Sequence, residues 1–139
     1  MDTAFLVIRL VRAEVRRSRP GNLSLQQVRA LGCVEYSPGA SLSHVAEQLG
    51  VALPSASHLV EGLVRRGLLA RRTDAADRRQ ISLDLTAKGE RALQRAFDVT
   101  RAELTHRLAP LNHSQRAAVV DAMRLLRPLL GSAETTGAK

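Results

Sequence analysis

Lysine is nearly missing from this chain. Lys88 and Lys139 are the only two, so almost all of its positive charge is carried by arginine. Tryptophan is absent, and the aromatic residues are Phe5, Tyr36 and Phe97. A protein that grips single-stranded nucleic acid by stacking bases on aromatic rings has almost no material to work with here. Cys33 is the only cysteine, which excludes an internal disulfide framework and a multi-cysteine metal site. No apolar run approaches the ~18 residues needed to span a bilayer. The stretch from Ala4 to Leu10 is broken by Arg9 and followed by Arg12, unlike the apolar region of a secretion signal. A glycine-rich phosphate loop, a nucleophile elbow and a carboxylate pair on a sheet scaffold are also missing, so an enzyme is not expected. Together these absences point to a cytoplasmic protein with no cofactor.

What remains is a chain of 139 residues with 45% apolar content, enough for one packed domain. Lys+Arg is 21 against Asp+Glu 13, a formal net charge of +8. Guanidinium groups are planar, always charged and suited to phosphate. The expected partner is a polyanion, and the shortage of aromatics favours a duplex read by shape and groove contacts.

Periodicity organises the chain. Thr3 to Ser18 carries Phe5, Ile8, Val11 and Val15 at near-helical spacing. Pro20-Gly21 interrupts it. Ser24 with Gln27 forms a capping-box pattern ahead of Leu25, Val28, Leu31 and Val34, and Ser37-Pro38-Gly39 closes that helix. Ser41 caps a short helix that ends at Gly50. Pro54 opens the next, which runs to about Arg66 before Gly67. Two helices joined by a tight turn form a helix-turn-helix candidate. Period-2 alternation then predicts strands at 68–72 and 80–85, with Thr73 to Arg79 as a polar hairpin tip. Thr86 caps a long helix whose apolar stripe holds Leu93, Phe97, Leu104 and Leu108. Pro110 ends it, and Asn112 with Gln115 starts the last helix, with Leu125, Leu126 and Leu129 on its apolar side.

The fold class expected is therefore mainly α with a small β-hairpin wing: a winged helix-turn-helix domain with N- and C-terminal dimerisation helices. The domain spans 1–131. Residues 1–20 and 86–131 are the dimerisation helices, 41–85 the DNA-binding lobe, and 132–139 a small polar tail expected to fray. Apolar stripes outside the small winged core need a cover, and a second copy of the chain supplies one.

Ser55, Ser57 and His58 interleave with the core positions of the recognition-helix candidate. They are short polar side chains able to reach base edges or phosphates, although serines in a first turn also serve simply to satisfy free N–H groups. At the hairpin tip, an arginine of Asp77-Arg78-Arg79 can enter a narrow minor groove. Asp77 would hold an arginine fork in place. Arg65, Arg71 and Arg72 are the candidate phosphate contacts.

These segments resemble the MarR (multiple antibiotic resistance regulator) family. The resemblance rests on Leu25 to Leu31, Val45 to Val51, Leu63 to Leu69, Asp77-Arg78-Arg79 and Leu85-Thr86-Ala87-Lys88-Gly89, in order and at fitting spacings. It implies a homodimeric winged-helix transcription factor that binds a near-palindromic duplex site. It places recognition on Ser55, Ser57 and His58, and the wing contact on Arg79 with Asp77 as its partner and Arg78 beside it. His58 stands where the family often has arginine. The resemblance also implies a small-molecule effector pocket, for which Val11, Leu31, Tyr36 and Phe97 are candidate lining residues and core packing the competing role.

Two other readings stay open at this stage. A chain this basic could coat DNA without sequence choice. Cys33 could act as a thiol redox sensor, but it lies among apolar helix residues with only Arg29 nearby. No pair among His44, His58, His106 and His113 has the spacing of a usual zinc half-site, so no metal is expected.

Overall fold

The computed structural model describes residues 3–18, 22–73 and 81–131. The hairpin tip with Asp77, Arg78 and Arg79 lies outside them, as does the tail 132–139. In chain order the elements are α1 (Thr3–Ser18), α2 (Leu25–Tyr36), β1 (Ala40–Ser41), α3 (Leu42–Leu49), α4 (Leu53–Arg65), β2 (Leu69–Thr73), β3 (Ile81–Leu85), α5 (Ala87–Arg107) and α6 (His113–Gly131). The chain divides into two compact units, 1–102 and 103–139.

In the first unit, α2, α3 and α4 pack around one core. Leu23, Leu31, Leu63, Leu69, Leu83 and Leu93 are its largest fully buried side chains. Burying each is worth roughly 1.5–3 kcal/mol relative to leaving it in water. Local signals set the helix ends. Gln27 N donates to Ser24 Oγ at 3.2 Å, and Ser24 N donates to Gln27 Oε1 at 2.9 Å, the reciprocal pair of a capping box. Replacing Ser24 by Ala should lower stability by about 1 kcal/mol; urea denaturation would read this as a reduced midpoint at an unchanged slope.

The sheet corrects one expectation. The period-2 pattern gives a two-stranded hairpin, whereas the sheet has three strands in the order β1-β3-β2, all antiparallel. Ala40 and Ser41 pair with Leu83 and Ser82, which makes β3 the central strand. A two-residue strand has no period to detect. The hairpin strand predicted at 68–72 sits one residue later, because Leu68 N still donates to Leu63 O at 2.9 Å in closing α4.

In the second unit, Asn112 and Gln115 form a reciprocal pair at the start of α6, with bonds of 3.0 and 2.9 Å. On α6, Val120, Met123, Leu125 and Leu129 are about half exposed or more, Leu125 reaching 73%.

Candidate nucleic-acid interface

The turn between α3 and α4 sets the direction of α4, the recognition-helix candidate. Gly50 takes φ 66°, a left-handed conformation that glycine adopts without steric cost, and its N–H donates to Ala46 O and Glu47 O. Val51 N then donates to Ala46 O at 3.0 Å, and α4 starts two residues later. Its N-cap is Ala52, which has no side-chain acceptor to offer. Pro54 falls in the first turn, where its missing N–H leaves no gap. The first turn therefore keeps N–H groups available to a partner outside the chain, at the positive end of the helix dipole.

Ala56, Val60 and Leu63 are fully buried and fix which face of α4 meets the core. The same rotation leaves Ser55, His58, Glu61 and Arg65 exposed and Ser57 half-buried. Sequence pattern thus places the three proposed recognition residues on the outer side of one helix, in its first two turns.

Ser57 does not cap the helix. Its Oγ donates to Glu61 Oε1 at 3.3 Å, and Arg71 Nη2 on β2 lies 3.9 Å from the same oxygen. Arg72 is also engaged, its Nε pairing with Asp84 Oδ2 across the hairpin at 2.9 Å. Both exposed arginine pairs are worth less than about 1 kcal/mol each, so phosphate can compete for these guanidinium groups.

The end of α4 is tied to the start of α5. Gly67 adopts φ 70°, and Gly67 N donates to Val64 O at 2.8 Å. Thr86 Oγ1 donates to Gly67 O at 2.6 Å and accepts from Gly89 N at 3.0 Å, so it caps α5 while holding the exit of α4. Lys88 Nζ donates to Arg66 O at 2.7 Å. Arg66 Nη1 reaches Asn22 O and Gln27 Oε1 at 3.3 and 3.4 Å, joining the same exit to the start of α2. Sequence pattern identified Thr86 as a cap, but Glu61, Asp84 and Lys88 were missed. Only Glu61 left a signal, its i, i+4 spacing from Ser57.

Three of the residues named for an effector pocket differ in exposure. Leu31 is fully buried in the core, Tyr36 is 70% exposed and Phe97 41% exposed, and the Val11 side chain is outside the description. Two cavities lie elsewhere. One of about 460 Å³ between α1 and α2 is lined by Phe5, Ile8 and Leu25 with Arg9, Arg12, Arg16 and Arg29. Another of about 550 Å³ opens beside β3 and α5, where Glu35, Glu90 and Arg91 join the Arg72–Asp84 pair. Cys33 is half-buried and packs against the core.

A sequence model of the MarR family matches residues 22–80, which begin just before α2, include β2 and end before β3. That part of the chain is similar to the MarR family. A curated relative, the uncharacterized HTH-type transcriptional regulator YfiV of Bacillus subtilis, is 22% identical over 113 residues, covering 81% of this chain and 71% of YfiV. Among solved structures, the MarR family protein RV2887 of Mycobacterium tuberculosis, in complex with salicylic acid, is 26% identical with a TM-score of 0.67. That match covers 91% of this chain and 96% of RV2887. A variant of S. aureus MepR bound to an oligodeoxyribonucleotide has the same fold at 18% identity, with a TM-score of 0.66 and 91% of each chain covered. This chain thus has the mainly helical winged fold of these proteins. Among the described residues, no helix is long and apolar enough to cross a membrane.

Proposed function

We propose that this chain is a cytoplasmic homodimer that binds a near-palindromic duplex operator, represses transcription and lets go when a small molecule binds. The observation that carries the reading is the outer row of α4. Ser55, Ser57 and His58 stand above a helix start without a side-chain cap, beside a hairpin strand bearing Arg71 and Arg72. Short polar groups of this kind reach base edges when a recognition helix enters a major groove. Arg79, held by Asp77, would enter the adjacent minor groove, with Arg78 beside it. Arg65, Arg71 and Arg72 would neutralise phosphates. The oligonucleotide bound to the MepR variant supports the DNA partner.

The half-exposed apolar residues of α6 support pairing with a second copy, which would place two recognition helices about one helical turn of DNA apart. The cavity between α1 and α2 supports an effector. Its apolar residues Phe5, Ile8 and Leu25 beside Arg9, Arg12 and Arg16 suit an apolar molecule with an acidic group. The salicylic acid bound by RV2887 is of that chemistry.

The test is a titration of duplex fragments from around the chain's own coding region, at two salt concentrations, against a scrambled competitor. A regulator should lose ~10³-fold or more on the scrambled sequence. Equal affinity for the scrambled sequence would replace this reading by non-specific coating.

A further inference from the structure

Glu61 is the only acidic residue on α4, and it sits on the side that carries Ser57. A carboxylate on a surface offered to a polyanion opposes binding, so its presence there calls for a local role. The geometry supplies one. A serine hydroxyl has a single proton and two lone pairs, and an ionised carboxylate can only accept. With the Ser57 proton directed to Glu61 Oε1, the outward side of Ser57 Oγ presents lone pairs alone.

We propose that Glu61 sets the base preference of the recognition helix by holding the Ser57 hydroxyl as a hydrogen-bond acceptor. The inference rests on the DNA-binding role proposed above. In the major groove, an acceptor pairs with the amino group of adenine N6 or cytosine N4. It is repelled by the oxygens of guanine and thymine. The contacted strand should therefore carry A or C at that step, and G or T should bind worse. Arg71 has a part in this arrangement: at 3.9 Å from the same carboxylate oxygen it offsets the negative charge and keeps the Glu61 side chain beside the wing strand.

The experiment is selection from a pool of randomised duplexes, followed by affinity measurement with each base pair at each position of the selected site. The full-length chain is compared with Ser57→Ala, Glu61→Ala and Glu61→Gln, each checked for an unchanged circular dichroism spectrum. Ser57→Ala marks the step that Ser57 reads. At that step the unsubstituted protein should prefer A or C by about tenfold. Glu61→Ala should bring the four bases to near parity by freeing the hydroxyl to donate. Glu61→Gln keeps an amide oxygen in the acceptor position and should retain most of the preference. The proposal is overturned if Ser57→Ala alters no step, if the preferred base is G or T, or if Glu61→Ala leaves the preference intact. Equal loss in both Glu61 variants would also overturn it, since charge alone would then be responsible. Failure of the unsubstituted protein to enrich any sequence would instead remove the DNA-binding role on which the inference stands.

Discussion

Gly89→Ala is expected to destabilise the winged unit by about 3 kcal/mol and to lower its melting temperature by roughly 10 °C. A Cβ built at this position runs into the Leu68 carbonyl oxygen and comes within 2.9 Å of Leu85 Cδ2. The carbonyl cannot step aside freely, because it accepts from Thr86 N at 3.2 Å. Relief of the clash would mean pushing α5 away from the exit of α4 and loosening the bonds made there by Thr86 and Lys88. The matching control is Gly62→Ala. Gly62 lies inside α4, and a Cβ built there meets no heavy atom within 4 Å beyond the adjoining residues and backbone of its own helix. Alanine there should add about 0.5–1 kcal/mol through helix propensity. Calorimetry on both variants reads the two effects with opposite sign. A Gly89→Ala melting temperature within about 2 °C of the unsubstituted protein would mean that α5 does not approach α4 this closely.

Arg79→Ala should weaken operator binding by about 1–3 kcal/mol and flatten the dependence of affinity on salt. The argument is electrostatic. A guanidinium in a narrow minor groove sits where the negative potential of DNA is strongest. Arg79→Lys keeps the charge and loses the planar fork, so it should fall between the two. Fluorescence anisotropy at several salt concentrations measures affinity and slope together. If both stay unchanged in Arg79→Ala, the wing does not enter the groove.

Much of the fold was legible because its signals are local. Ser24 with Gln27, Ser41 with Gly50, and Asn112 with Gln115 each satisfy backbone groups within three to nine residues, and all of them bond or turn as their spacing implies. Interactions between distant residues were not legible. β1 meets β3 across some forty positions, and neither Ala40 nor Ser41 carries a mark of it. Lys88 reads as a surface cation until the fold brings Arg66 O beneath it. The apolar stripes show the same division. Periodicity names Leu93 and Phe97 alike, but only Leu93 meets the core, since a period identifies a face and not what covers it. For the site, sequence pattern selected the outer residues of α4. It passed over Glu61, whose partner Arg71 comes from the following strand.

The strand order β1-β3-β2 also bears on how the protein behaves at high concentration. Any open sheet has two borders whose unpaired backbone groups can recruit a strand from another molecule and start aggregation. One border here is β1, only two residues long and too short to template a ladder. The other is β2, where Arg71 and Arg72 are adjacent and exposed. Two copies meeting along β2 would bring like-charged guanidinium groups close on both faces of the joined sheet. The arginines suited to a phosphate backbone would thus also keep copies of the protein from joining sheet to sheet when no DNA is present.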